Sequence, residues 1–331
     1  LLKFTDTQTK ILNLLADGQF HSGTLLANTL NISRSAIWKH IETLTDYGID
    51  IAAITGKGYK LNRPLELLSE PQIKAGLTQT ATQLVSELEI YPRIDSTNRY
   101  LVESAQTLAN SGQVCFAESQ TAGKGRRGRQ WISPFGSNIY LSILWRFQND
   151  PASIAGLSLA VGVAVIRVLQ KLGVTDIGLK WPNDIYWHDK KLGGILIEVS
   201  GEAGGSCSAV IGLGLNLYLS VKETASITQP WIDLEQILGA GNYSRNKIAS
   251  LLLNHLLPVI ANFETDTLNH YLQEWRLCDV MLNKAVTIYI GNQAIDGIVA
   301  GIDNNGMLLL KIASGEIKTF ASGEVSFRQS L

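Results

Sequence analysis

The spacing of apolar side chains changes character three times along the chain. Between Thr7 and Ala16, Ile11, Leu12, Leu14 and Leu15 recur on one helical face, and Gly18 ends the run. Ser22 caps a short second helix, Gly23 to Leu30. An Asn31-Ile32 turn leads to Ser33, the cap of a third helix that reaches Tyr47 before Gly48 stops it. In that third helix Ala36, Ile37, Ile41, Leu44 and Tyr47 face inward, leaving Arg34, Ser35, Trp38, Lys39 and Glu42 near the outward side. Ile51-Ala-Ala-Ile54, a Thr-Gly-Lys-Gly turn and Tyr59-Lys-Leu61 then read as a β-hairpin. This order predicts a winged helix-turn-helix over residues 1–65. Its recognition element (Ser33, Arg34, Ser35, Trp38, Lys39) would lie in a DNA major groove, and Lys57 in the wing over neighbouring phosphates. A helical protein-interaction module is the alternative.

After Pro64 and Pro71 the pattern becomes mixed α/β. Strand-like runs fall at 113–117, 138–146, 178–181, 185–187, 194–199 and 208–217, and helix-like runs at 96–110, 153–172 and 247–274. Two of the strands, joined by the charged turn His188–Lys191, would be antiparallel neighbours in a mixed sheet with helices packed on it. From Leu282 short strands alternate with Gly291-Asn292, Asn305-Gly306 and Ser314-Gly315, the spacing of a small β-barrel or sandwich. The expected organisation is therefore α+β multidomain, with units at 1–65, 66–281 and 282–331.

Composition narrows the function classes. With 331 residues, 45% hydrophobic and 17% charged, the chain can bury large cores, which argues against long disorder or a disulfide mini-scaffold. The net charge of −1 advertises no partner, yet the first 65 residues hold seven Lys/Arg against five Asp/Glu, so the head is +2 and the remainder −3. Cys115, Cys207 and Cys278 are odd in number, far apart and outside any metal spacing, as expected of reduced thiols. Lys3, Asp6 and Lys10 interrupt any signal-peptide run. The uncharged stretch from Pro151 to Ile166 is short for a membrane span and reads as a buried helix, so a cytoplasmic location is expected.

Four clusters carry candidate chemistry. Gly123-Lys-Gly-Arg-Arg-Gly-Arg129 satisfies GxGxxG formally, but Gln130-Trp-Ile-Ser-Pro-Phe-Gly136 cannot continue as one helix and no acid occurs until Asp150, so it is not a dinucleotide turn. What remains is a loop of four cations, suited to phosphate or carboxylate; a nucleic-acid patch or a solvated loop stays open. Lys180-Trp-Pro-Asn-Asp184, followed by Lys191-Leu-Gly-Gly-Ile195, offers either a plain turn or a cleft whose Lys191 ammonium meets an anion. Ile211-Gly-Leu-Gly-Leu-Asn216 puts two glycines in a strand, where a ligand can approach closely. Asp95-Ser-Thr-Asn98 is by itself an N-cap.

Taken in order, and with Gly323-Glu-Val-Ser-Phe-Arg328 at the end, these clusters resemble the bifunctional biotin–protein ligases that double as biotin operon repressors. The resemblance covers nearly the whole chain. It implies a winged helix, a ligase domain of the biotin/lipoate type and an SH3-like barrel. It also implies ATP-dependent formation of biotinyl-5′-AMP, with Mg²⁺ accompanying ATP and no metal site of the protein's own. Biotin then passes to one lysine of a biotin carboxyl carrier protein. Operator DNA and an adenylate-dependent homodimer complete the implied partners. By resemblance Ser96, Thr97, Asn98, Gln120, Gly123, Lys124, Gly125, Gly212 and Gly214 would hold biotin. Arg126, Arg127 and Lys191 would serve both substrates; Arg129, Trp131, Asn183, Asn216, Trp231, Glu324 and Arg328 would meet the nucleotide, and Asp184 would help place Mg²⁺ or the acceptor lysine. Lys124 departs from the family pattern, where arginine is more frequent; lysine loses the bidentate fork, so adenylate retention would differ somewhat from that pattern.

Overall fold

The computed structural model describes residues 4–107, 110–202 and 204–327. Thr5 caps α1 (Asp6–Leu15) through a reciprocal exchange with Gln8, satisfying two otherwise orphaned amides. Ser22 and Ser33 cap α2 (Gly23–Leu30) and α3 (Arg34–Asp46), and Asn31, left-handed at φ 52, turns the chain between them. Ile11, Leu12, Leu15, Leu26, Ile37 and Leu44 form a dry core beneath the hairpin of β1 (Ile51–Ile54) and β2 (Gly58–Leu61). His21 and Tyr59 exchange two backbone hydrogen bonds of 2.9 Å, fixing the hairpin against the start of α2.

The central unit begins with α4 (Glu70–Ala75), α5 (Gln79–Leu84), β3 (Glu87–Tyr91), α6 (Thr97–Ala105), β4 (Gln113–Ala117) and β5 (Ile139–Phe147). It continues through α7 (Leu157–Lys171), β6 (Ile177–Lys180), β7 (Asp184–Trp187), β8 (Lys190–Gly201) and β9 (Cys207–Leu215). Helices α8 (Val221–Thr224), α9 (Leu234–Leu238), α10 (Arg245–Asp266) and α11 (Asn269–Leu277) complete it. Among the described residues the sheet order is β3-β4-β5-β9-β8-β7-β6, parallel only at β3–β4. The expected mixed sheet is present, with one strand, β3, that the sequence reading did not anticipate.

Three helix boundaries also differ from expectation. The 247–274 run is two helices, because Thr267 turns the chain at φ 54 between α10 and α11. The 153–172 run opens with a 3₁₀ turn, Pro151–Ile154, before α7, and the 96–110 run ends at Ala105. By length and composition the 151–171 stretch and α10 could each cross a membrane, which corrects the expectation that the former is too short. Both are mostly buried against the sheet, as core helices are.

Alternation along the strands assigns the two faces. Leu179, Ile185, Ile195, Leu213 and Leu215 enter the core shared with α7 and α10. On the other face α6 packs on β4, β5 and β9, and one cross-strand rung reads Ala117, Tyr140, Gly214, Gly194, Asp184, Lys180. Two glycines in the middle of that rung leave an open floor with a charged pair at its end. The C-terminal strands β10 (Ala285–Ile290), β11 (Gln293–Ile302), β12 (Leu308–Lys311), β13 (Ile317–Phe320) and β14 (Glu324–Phe327) form a second, antiparallel sheet in the order β13-β12-β11-β10-β14.

The link between these two units is stitched to the edge strand β6: Leu179 N–H donates to Cys278 O at 2.7 Å and Val280 N–H to Leu179 O at 3.1 Å. Between them Asp279 accepts from Met281 N–H at 2.8 Å, while its second carboxylate oxygen is buried without a partner. Burial pushes this carboxyl up to about 6. A carboxyl whose folded value is raised favours folding below that value and opposes it once ionised. The stability advantage of Asp279→Asn over the parent should therefore be larger at pH 7.5 than at pH 4, by up to roughly 3 kcal/mol at about 1.4 kcal/mol per pH unit. Urea titrations at both pH values check this; equal differences would exclude it.

Candidate active site

The open floor is one wall of a cavity of about 980 Å³. Its remaining sides come from the start of α6, the 124–132 loop, the β6–β7 hairpin, the 226–230 segment and β14. The cavity is chemically two-ended.

One end is polar and uncharged. Ser96 caps α6, which sets Thr97 and Asn98 at the cavity edge. Gln120 Oε1 accepts from Thr97 N–H at 2.9 Å and from its hydroxyl at 3.2 Å, while Gln120 Nε2 donates to Ser133 at 3.0 Å. Ser142 Oγ lies 2.7 Å from Thr97 Oγ1 and 2.6 Å from Asn98 Oδ1, and Asn98 Nδ2 donates to Glu198 at 2.8 Å. Gly212 is required here because a Cβ would run into the Asn98 amide. This network positions neutral donors and acceptors with little rotational freedom, the arrangement that selects a polar, uncharged ring. Ser142 was not singled out in the sequence; a serine inside the apolar run 138–146 is the signal that could have found it.

The other end is cationic. Lys191 Nζ pairs with Asp184 Oδ1 at 2.8 Å, the two side chains only 14% and 17% exposed, and lies 5.5 Å from the Trp131 ring centroid. The Lys191 backbone clasps the 230–232 segment: Lys191 N–H donates to Pro230 O and Ile232 N–H to Lys191 O, each at 3.0 Å. Arg126 Nη1 donates to Asn183 Oδ1 at 3.2 Å, and Asn183 Nδ2 to Ile195 O at 2.6 Å, so the hairpin holds the arginine. Burial and the adjacent Arg127 charge push the Arg126 guanidinium down, and Asp184 opposes them. Arg127 adopts φ 57 and donates to Tyr289 O at 3.3 Å; Arg129 pairs with Glu324. The loop thus spans from the floor to the C-terminal sheet, with Lys124 and Gly125 on its cavity side.

Trp131 lies across the floor. A Cβ at Gly214 would collide with its indole, and one at Gly194 would make a tight contact of 3.3 Å with the same ring. The indole N–H is buried with no hydrogen-bond partner.

Three sequence candidates sit behind the cavity wall rather than in it. Gly123 is packed under the Trp131 carbonyl and Ser133. Asn216 is buried and donates to Ile232 O at 3.1 Å, and Trp231 is half-buried beside Lys191. Through that bond Asn216 supports the 231–232 segment. Arg328 lies outside the described residues. Conversely, Lys180, Asp189, Lys284 and the 226–230 segment line the cavity without having been assigned roles.

In the head, Arg34, Ser35, Lys39 and Trp38 are exposed along one face of α3, with Trp38 53% accessible and Ser33 at its cap. Lys57 is exposed on the hairpin turn, its ammonium 5.7 Å from the Phe20 ring. An aromatic and two cations on one exposed face suit a nucleic-acid surface.

Comparison with known proteins bears directly on this arrangement. The biotin/lipoate A/B protein ligase family model matches residues 90–216, an HTH domain model residues 7–60, and a biotin protein ligase C terminal domain model residues 281–328. The bifunctional ligase/repressor BirA of Escherichia coli is 43% identical over 99% of both chains. The biotin–[acetyl-CoA-carboxylase] ligase of Mycobacterium tuberculosis is 32% identical over 73% of this chain and 90% of that one. Among solved structures, the biotin protein ligase from Aquifex aeolicus in complex with biotin and ATP superposes with a TM-score of 0.61 at 26% identity, covering 74% of this chain and 100% of that one. The chain belongs to the bifunctional ligase/repressor family of biotin protein ligases.

Proposed function

We propose that this protein activates biotin with ATP as biotinyl-5′-AMP, transfers the biotin to a lysine of a biotin carboxyl carrier protein, and acts as an operator-binding repressor when no acceptor is present. The observation that carries the ligase reading is the two-ended cavity: neutral hydrogen-bonding groups at one end, fixed cations at the other. Biotin has the matching form, a ureido ring and a carboxylate tail. Two anions, that carboxylate and the ATP α-phosphate, must meet despite mutual repulsion, and preorganised cations overcome it. Thr97, Asn98 and Gln120 take the ring; leaving its donors unpaired would be costly, so they set specificity. Lys191 and Arg126 hold the carboxylate and α-phosphate, with Arg127 and Arg129 arriving from the loop.

Mg²⁺ enters with the nucleotide. Among the described residues no group of three or more His, Cys, Asp or Glu converges on a metal position, and Asp184 is a cavity carboxylate that would face the ion. Biotin-dependent ATP–pyrophosphate exchange tests the reading; absence of exchange would reject it.

The repressor half rests on α3 and on a physical path from the loop to the head. Phe135 packs 5.9 Å from Phe4, and Gly136 packs against Leu65, so the segment that carries Trp131 also touches the head's core. An occupied cavity that reorders this segment would reposition the head and favour a homodimer. We place the domain boundaries near residues 65 and 281, and the site in the cytoplasm. Lys57→Ala should weaken DNA binding about uniformly across sequences and lower the salt slope by about one. Anisotropy titrations over a salt series, with and without biotin plus ATP, measure both. Binding indifferent to biotin and ATP would remove the repressor claim and leave the ligase claim standing.

A further inference from the structure

Three of the cavity cations, Lys124, Arg126 and Lys180, have no carboxylate within ion-pair distance among the described residues. Asp184 pairs with Lys191, Glu324 with Arg129, and Asp189 with Lys284 at 3.0 Å. Lys180 makes no ion pair among the described residues. Its ammonium is half-buried against two rings, 5.1 Å from the Tyr186 centroid and 5.3 Å from that of Phe327, and 3.3 Å from the Tyr186 hydroxyl. The strand register puts it on the cavity face opposite Asp184, at the end of the rung farthest from the neutral pocket. Phe327 belongs to β14, and Lys284 approaches the same ring at 5.1 Å. Two ammonium groups therefore flank one aromatic side chain at the seam between the ligase sheet and the C-terminal sheet.

We propose that Lys180 is the binding group for the β- and γ-phosphates of ATP, and for pyrophosphate as it leaves. The proposal rests on the ligase reading above. An ammonium drawn partly out of water against two aromatic rings and a phenol, with the nearby Asp184 already paired to Lys191, is poorly compensated until an anion arrives. The neutral pocket fixes which end of the cavity receives the biotin ring, and Lys191 and Arg126 meet the reacting carboxylate and α-phosphate. The charge farther along the same rung then falls to the remainder of the triphosphate. In the reaction a biotin carboxylate oxygen bonds to the α-phosphorus, the bond from that phosphorus to the bridging oxygen breaks, and its electron pair stays on pyrophosphate. Lys180 donates to that growing negative charge and takes up no proton in the step. Burial pushes its ammonium down to about 8, with Lys191 and Arg129 adding to the effect and Asp184 opposing it. An incoming polyphosphate would reverse that penalty.

The test separates the two half-reactions. Protein loaded with biotinyl-5′-AMP is titrated with magnesium pyrophosphate and ATP formation is followed; in parallel, biotin transfer from the same complex to a carrier domain is timed without pyrophosphate. Lys180→Met should raise the half-saturating pyrophosphate concentration at least tenfold, with transfer changing less than twofold. Lys180→Arg, which keeps a cation, should recover most of the loss. An unchanged pyrophosphate dependence in Lys180→Met would overturn the proposal. So would parallel losses in both half-reactions, since the lysine would then act on the biotinyl phosphate or on the fold. If the unsubstituted protein shows no biotin-dependent exchange, the ligase reading itself fails and this assignment fails with it.

Discussion

Lys191→Ala should lower biotin-dependent ATP–pyrophosphate exchange by on the order of 100- to 1,000-fold. The ammonium is held at 2.8 Å by Asp184, and the backbone of the same residue is clasped by Pro230 and Ile232. Such a cation costs no reorganisation when charge develops at the α-phosphorus, and water cannot take its place with equal order. The variant keeps both backbone bonds, so it should fold. Equilibrium binding separates the roles further: the adenylate should bind more weakly, while a biotin analogue lacking the carboxylate should bind as before. Full exchange in the variant would remove Lys191 from the chemistry. Arg126→Ala offers a graded comparison, because Asn183 anchors that arginine from one side only.

Arg245→Ala should reduce stability by about 3–5 kcal/mol, the expected cost of leaving one member of a buried ion pair alone. Arg245 Nη1 lies 2.7 Å from Glu118 Oε2, the side chains 5% and 4% exposed. The contact is an ion pair more than an aligned hydrogen bond, because that carboxylate oxygen makes no bond of good geometry. The pair is nonetheless embedded: Arg245 donates to Glu66 O at 2.7 Å and Asn138 O at 2.9 Å, and Glu118 Oε1 accepts from Leu68 N–H at 2.6 Å. These bonds join α10, the end of β4, the start of β5 and the segment leaving the head. Chemical denaturation should show the loss in the transition of the central unit, with the head's own transition little altered. A loss below about 1 kcal/mol would mean that solvent replaces the arginine.

The head was legible because its signals are local. Ser22, Ser33, Asn31 and Gly48 punctuate helices whose apolar faces repeat within a few residues, and each behaves as its type predicts. The strand β3 was not, since Glu87 and Glu89 lie at the edge of the sheet, where a half-solvated strand carries little apolar signal. The break at Thr267 was hidden because the apolar period on its two sides runs nearly in phase.

Within the site, the motifs identified which segments converge, but not what each side chain does there. Asn216 shares the parity of the cavity-facing Gly212 and Gly214, but it lies just past the end of β9, where its side chain donates to the Ile232 carbonyl instead. Lys180 went unassigned for the opposite reason: nothing local distinguishes a lysine before Trp-Pro from a surface one. Its significance comes from Phe327, nearly 150 residues later, and no spacing rule spans that distance.

The same separation has a consequence in time. The fully buried members of the head's core all lie between Ile11 and Leu61, so it can begin to form as soon as they leave the ribosome. The cavity cannot: β14 supplies Glu324 and Phe327, and its pairing with β10 closes the last wall. During synthesis the surface that would read DNA is therefore complete long before the pocket that would sense biotin. A nascent chain carries the address before it carries the signal.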